Sequence, residues 1–285
     1  MTTLITADSV IDWNSALLDE YQPVIIPLIV VLNDKEHYDG VDVTPDIIYD
    51  TVAKSGKLPK TAANGVDTYH DFFKKYTDQG YNVIHISLGA KFSSSHNHAK
   101  LGAEGLPVEV IDSASLSTGS GLLALYASKL AREDKYDYHT IADMVRSRVS
   151  GVQASFVIDK LDYLHKGGRC STLALLGANL LRIKPCIEVR DGKMVVARKY
   201  RGKFDIVIKK YVEDTLKEFS NYDSEQVFIT RTKNTPEEYV DMVEDMLKQA
   251  GIFKNIYRTY AGATITAHCG PNTLGILYFN DGDHQ

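Results

Sequence analysis

The stretch VEVIDSASLSTGSGLLALYASKLARE, Val108–Glu133, decides the fold. It opens with a short β-branched strand, VEVID. A loop dominated by serine comes next, and then a helix rich in leucine and alanine. A strand that hands over to a helix through a polar loop is half of a βαβ unit, so the pattern predicts a parallel sheet covered by helices. Neighbouring segments repeat it. Upstream, TLITA (3–7), VIIPLIVVL (24–32) and YNVIHISL (81–88) read as strands. VTPDIIYDTVAKSG (43–56) reads as a helix with Thr44 as N-cap, Pro45 at the first helical position and Gly56 as stop. DTYHDFFKKYTDQG (67–80) reads as another, and downstream YHTIADMVRSRVS (138–150) adds a third.

Beyond Ser150 the pattern changes. QASFVID (153–159) is a strand, and CIEVRDGKMVVARKY (186–200) alternates around Asp191-Gly192, a hairpin signal. FDIVIKKYVEDTLKEF (204–219) is amphipathic. In TPEEYVDMVEDMLKQAG (235–251), Thr235 and Glu238 have the spacing of a capping box. QVFITRT (226–232), IYRTYA (256–261), ATITA (263–267) and TLGILYF (273–279) complete the set as strands. The expected architecture is two α/β domains, 1–150 with a mainly parallel sheet and 151–285 with a mixed sheet.

The chain has 285 residues, 32 Lys plus Arg against 37 Asp plus Glu, and a net charge of -5. That balance argues against nucleic acid, whose binding rests on neutralising phosphates. The N-terminus lacks a basic region and a long apolar run, and no segment is long enough to span a bilayer, so neither a signal peptide nor stable membrane insertion is expected. The three cysteines, Cys170, Cys186 and Cys269, have no CxxC spacing and read as reduced thiols of a cytoplasmic protein.

In an open parallel sheet, ligands lie beyond the carboxyl ends of the strands. Four loops rich in hydroxyl or acidic side chains fall there: Asp8-Ser9; PKTAANG with Thr61; GAKFSSSHNH with Ser93, Ser94 and Ser95; and DSASLSTGSG. Singly, each serves equally well as a set of caps and turns. The chain has no GxGxxG, no P-loop and no GxSxG elbow. His96 and His98 lack acidic or cysteine companions and read as surface residues, so no metal is expected. His268, in TAHCGPNTLG, fits either a satisfied half-buried histidine or a side chain aimed into a cleft.

The ordered set formed by Asp8-Ser9, Asp39-Gly40, LPKT ending at Thr61, ISLGAKFSSS with Ser93, IDSASLSTGSG, YLHKGGRCS and TAHCGPNTLG resembles the DegV family of bacterial fatty-acid-binding proteins across nearly the whole chain. Two places depart from the family pattern, at Ala62-Ala63-Asn64 and at Ser94-Ser95-His96, and Ala267 and Cys269 stand where the family places threonines beside the histidine. The resemblance implies a long-chain fatty acid of the palmitate or oleate type, held in a tunnel between or beneath the domains. It implies Thr61, Ser93 and His268 around the carboxylate, no cofactor, no catalytic residue, and a fatty acid kinase as protein partner.

Elementary chemistry fits that implication. At ~0.8 kcal/mol per buried CH₂, a tail of about sixteen carbons supplies on the order of 10 kcal/mol of gross driving force. A buried carboxylate needs donors, which two hydroxyls and an imidazole can supply. In YLHKGGRCS, Gly167 and Gly168 reverse the backbone and Ser171 caps the next helix. That helix, TLALLGANLLRI (172–183), reads as buried and as part of the tunnel wall. Lys166 and Arg169 then stand near the mouth, where a partner carrying phosphates could dock on Arg169. Two other functions remain open on sequence: a Ser/His lipid hydrolase using Ser93, His268 and Asp112, and a lipid-sensing regulator without a kinase partner.

Overall fold

The computed structural model describes residues 2–173 and 183–282. The chain folds as two α/β domains. In the first half the strands are β1 (Thr3–Asp8), β2 (Val24–Ile26), β3 (Ile29–Leu32), β4 (Lys35–Tyr38), β5 (Lys60–Ala62), β6 (Asn82–Ser87) and β7 (Val108–Asp112). The helices between them are α1 (Ser15–Tyr21), α2 (Pro45–Ser55), α3 (Val66–Thr77), α4 (Ser95–Gly102), α5 (Thr118–Arg132) and α6 (Tyr138–Ser147).

The second half contributes β8 (Val152–Ile158), α7 (Asp162–Gly167), β9 (Lys184–Arg190), β10 (Lys193–Tyr200), α8 (Phe204–Glu218) and β11 (Gln226–Arg231). It ends with α9 (Glu237–Ala250), β12 (Asn255–Tyr260), α10 (Ala263–Cys269) and β13 (Thr273–Phe279).

Strands β2, β1, β6 and β7 form a four-stranded, wholly parallel sheet in that order. Helix α5 lies between this sheet and the six-stranded sheet β10-β9-β8-β13-β11-β12. That position explains its composition. It is buried without interruption from Thr118 to Leu125, and its leucines share one core with Ile5, Ile84 and Ile111 on one side and Phe228, Leu277 and Phe279 on the other. Each fully buried leucine contributes roughly 1.5–3 kcal/mol relative to exposure, so α5 welds the two sheets together. The larger sheet is mixed: β11 and β12 run parallel, and its other pairings are antiparallel. Its far face is covered by α8 and α9 over Tyr211, Val212, Val240 and Val243.

Several local readings hold. Helix α2 starts at Pro45, with the Thr44 side chain accepting from Ile47 N–H, and ends at Gly56 with φ +67°. Asp191 and Gly192 both adopt positive φ and join β9 to β10 in a two-residue hairpin.

Others need correction. VIIPLIVVL is not one strand. Pro27, which cannot donate to a ladder, separates β2 in the parallel sheet from β3 in a third, three-stranded antiparallel sheet ordered β4-β3-β5. ATITA is not a strand but the helix α10, packed on α2 and α7. Its β-branched residues are outweighed by tertiary partners for its first N–H groups. The capping box at Thr235 and Glu238 does not form: α9 begins at Glu237, and the Thr235 hydroxyl donates instead to the Thr273 carbonyl at 3.1 Å. The expected buried helix at 172–183 falls almost wholly outside the described residues.

Candidate functional site

A cavity of about 540 Å³ opens where the strand-end loops of the first half face α10 and the elbow after α7. Thr61, Ser93, Arg169 and His268 all line it. Leu28, Leu88, Phe92, Leu116, Met194 and Ile265 supply its apolar wall. A second, much smaller space of about 30 Å³ shares the lining residues Leu116, Ile265 and Cys269 with this cavity and is bounded also by Ala154, Phe156 and Leu277 of the mixed sheet.

Thr61 sits on β5, not in a loop, because Lys60–Ala62 extends the small sheet with Thr61 paired to Val30. Ser93 belongs to the loop after β6. Two carboxylates shape that loop: buried Asp8 accepts from Leu88 N–H at 2.7 Å, and half-buried Asp112 accepts from Ala90 N–H at 2.9 Å. Asp8 also accepts from the Tyr69 hydroxyl at 2.6 Å. At the loop's tip the Ser93 hydroxyl accepts from Ser95 N–H at 3.2 Å and pairs with the Ser95 hydroxyl at 2.9 Å.

His268 occupies the last turn of α10, and its Nε2 lies 2.8 Å from Thr61 Oγ1. Its other ring nitrogen, Nδ1, is buried and has no hydrogen-bond partner. Burial, and after it the positive charge of Arg169, push the imidazole's pKa down to about 4. The ring is therefore neutral at pH 7 and carries one N–H. Placing it on Nε2 satisfies the donor and leaves the Nδ1 lone pair toward a cationic neighbourhood. Thr61 Oγ1 then accepts from His268, and its own proton is free to point into the cavity.

The elbow uses its two glycines differently. Gly168 takes φ +67° and closes α7, the left-handed conformation that glycine reaches without cost. Gly167 is needed for space: a Cβ there would stand 2.5 Å from His268 Nδ1. Arg169 comes next, exposed, with Nη1 donating to the Gly167 carbonyl at 2.8 Å. Lys166 is exposed but does not line the cavity; Lys91 does, held by the Asp191 carbonyl at 2.7 Å.

The residues suggested for a hydrolase are not assembled. Ser93 is paired with Ser95, His268 with Thr61, and Asp112 is engaged with Ala90 and Ala114 backbone N–H groups away from the cavity wall. His96 and His98 are half-buried rather than surface residues, bonded through Nδ1 to the Ser87 hydroxyl and the Asn64 carbonyl. Among the described residues no cluster of three or more histidine, cysteine or acidic side chains is placed to hold a metal ion. Among them, too, no helix is long and apolar enough to cross a membrane. All three cysteines are buried free thiols, and burial raises Cys269 to about 12.

Sequence reasoning missed Asp12 and Gly167's spatial role, and it quoted Asp39 without a role. Asp12 accepts from Gly262 N–H at 2.8 Å, and Asp39 accepts from Ala263 N–H at 2.8 Å and Thr264 N–H at 3.1 Å. Together they meet the N-terminus of α10.

Over residues 2–281 the chain matches the family described as uncharacterised protein, DegV family. A DegV domain-containing protein of Caldanaerobacter subterraneus subsp. tengcongensis is 28% identical over 96% of this chain and 97% of its own length. A fatty acid-binding protein of Thermotoga maritima is 27% identical over 96% of each chain. Among solved structures, a stearic acid-binding protein of Eubacterium ventriosum superposes with a TM-score of 0.84 at 25% identity, covering 99% of both chains. The Streptococcus pneumoniae fatty acid kinase B3 protein loaded with linoleic acid superposes with a TM-score of 0.84 over 99% of this chain and 100% of its own. At 20% identity that likeness is one of fold.

Proposed function

The chain belongs to the DegV family, and from that premise and the cavity we propose that it binds a long-chain fatty acid of the palmitate or oleate type and presents it to a fatty acid kinase. The observation that carries the reading is the convergence of Thr61, Ser93 and His268 on one cavity whose wall also includes the apolar side chains of Leu28, Leu88, Phe92, Leu116, Met194 and Ile265. A fatty acid has this same division: a tail that gains ~0.8 kcal/mol per buried CH₂ and a carboxylate that must be met by donors. Thr61 and Ser93 donate to the carboxylate. His268 works behind Thr61, taking up that hydroxyl's acceptor side so that its proton faces the ligand. The tail passes Leu116 and Ile265 toward the apolar space over the mixed sheet.

The chain acts as a carrier in the cytoplasm and not as a catalyst. Neutral hydroxyl donors hold a carboxylate without the bidentate grip of an arginine, which leaves its oxygen available to a phosphoryl donor. Arg169, exposed at the rim, meets the kinase. Extraction of the purified protein with organic solvent, followed by mass spectrometry, tests the reading. One fatty acid per chain is expected. An extract without acid, together with no uptake of added palmitate or oleate, would overturn it.

A further inference from the structure

The three-stranded sheet β4-β3-β5 holds α10 at both ends. On β3, Ile29 pairs with Tyr38 of β4 and with Ala62 of β5, and Val30 pairs with Thr61. Asp39 directly follows Tyr38 and grips the first turn of α10, while Thr61 meets His268 in its last turn. Two strand spacings amount to about 9.6 Å, and the four to five residues from Ala263 and Thr264 to His268 rise about 6–7.5 Å. The two spans are commensurate once side-chain reach is included. Ala263 and Ala267, one turn apart, let the helix settle on the core of Val30, Leu32, Val43 and Ile48 under the same sheet.

Asp39 is itself firmly placed. It is 5% exposed, its N–H donates to the Leu28 carbonyl at 2.9 Å, and Oδ2 accepts from the Ser9 hydroxyl at 3.0 Å. Oδ1 takes Ala263 N–H, and Oδ2 also takes Thr264 N–H. Among the described residues, the hydrogen bonds of this carboxylate are all with donors, two of them in α10, and its carboxylate neighbour is Asp12.

We propose that Asp39 is the positioning residue of the head-group site: by holding the N-terminus of α10 to the sheet that carries Thr61, it sets the distance at which His268 meets Thr61. The role in ligand binding rests on the fatty-acid reading above; the placement of His268 does not.

The full-length chain carrying Asp39→Ala or Asp39→Asn tests this. Asparagine is informative because its NH₂ must face a donor in either orientation, Ala263 N–H on one side or Ser9 and Thr264 N–H on the other. The first readout is the ¹⁵N resonances of the His268 ring in ligand-free protein across a pH titration. Both variants should move them, with the ring titrating closer to the ordinary histidine range as α10 loosens. The second is palmitate affinity, expected to fall about tenfold in Asp39→Ala and less in Asp39→Asn. A variant that folds, even with a lowered melting temperature, and keeps the wild-type ring resonances overturns the proposal. So does unchanged palmitate affinity in a chain whose wild type binds palmitate. Should Asp39→Ala fail to fold, Asp39→Asn decides by the same readouts. A wild type that takes up no palmitate would sink the fatty-acid reading, while the ring resonances still decide the positioning.

Discussion

The Nε2 of His268 stands 2.8 Å from the Oγ1 of Thr61, a residue 207 positions earlier in the chain. The pair divides labour. His268 fixes the direction of a hydroxyl, and the hydroxyl faces the cavity. Thr61→Ala and Ser93→Ala should each weaken palmitate binding by about ten- to hundredfold, the loss of one hydrogen bond to a charged group at roughly 1.5–3 kcal/mol. His268→Ala should cost less than Thr61→Ala, and the double variant should bind no worse than Thr61→Ala alone. Calorimetric titration of the four proteins completes the cycle. Additive losses would mean that His268 contacts the ligand independently.

Stability should respond to pH through two buried groups with opposite signs. His268 resists protonation until about pH 4 in the fold, against 6.5 ordinarily. The unfolded chain therefore binds more protons between those values, and stability is lost as pH falls from 6.5 toward 4. Asp12 is the reverse. Burial, with a smaller push from the nearby Asp39, raises its carboxyl from 3.8 to about 8 against the partial opposition of the Ser117 and Gly262 hydrogen bonds. The folded chain then binds the extra proton, and stability is lost as pH rises from about 4 to 8. Asp12→Asn should flatten that alkaline-side loss. Asparagine suits the site because residue 12 has φ +49°, which asparagine tolerates. Chemical denaturation at a series of pH values, wild type against variant, reads the difference directly. Parallel curves above about pH 5 would remove Asp12 from the account.

The two glycines of the elbow should separate in their effects. Gly168→Ala places a side chain at φ +67° with open space around it, so it should cost about 1 kcal/mol of stability and leave palmitate affinity near wild type. Gly167→Ala puts a Cβ 2.5 Å from His268 Nδ1 and should displace the imidazole from Thr61, weakening palmitate binding severalfold. Paired melting and binding measurements distinguish them. Equal binding losses would show that the elbow responds as one unit.

What the sequence made legible was local or periodic. Thr44-Pro45 announced α2, Asp191-Gly192 announced the β9–β10 hairpin, and the strand–loop–helix repeat announced the parallel sheet. What it concealed depends on partners distant in the chain. Thr264, Ile265 and Thr266 carry the propensities of a strand. The N–H groups of Gly262, Ala263 and Thr264 at the head of this segment are nevertheless met by Asp12 and Asp39, more than two hundred residues away, and a helix forms. No neighbouring residue supplies a side-chain cap, so no local signal existed. Thr61 was legible as a polar candidate but not as a strand residue, because β5 exists only by pairing with β3, which begins two residues after Pro27. The convergence of Thr61, Ser93, His268 and Arg169 on one cavity was reachable only through the family resemblance, since the spacing between them carries no geometric code.

Arg169→Ala should separate binding from presentation. Its side chain is exposed, and its closest hydrogen bond is to the Gly167 carbonyl of its own elbow, with a longer one to the Phe92 carbonyl at 3.5 Å. Neither contact is to Thr61 or Ser93. Its removal leaves the Thr61 and Ser93 hydroxyls in place, so palmitate affinity should change by less than about threefold, a shift below about 1 kcal/mol. The guanidinium also lowers the pKa of His268, so losing it should let that group's titration rise slightly. A partner bearing carboxylates or phosphates would lose a bidentate anchor, for which a surface arginine is well suited, and acyl-phosphate formation by a fatty acid kinase should fall at least about tenfold. Both quantities are to be measured on the same preparation. A large loss of palmitate affinity would move Arg169 into the ligand site, where its place on the cavity wall would let it reach the carboxylate. Unchanged phosphorylation would leave it as the residue that ties the elbow to the loop carrying Ser93.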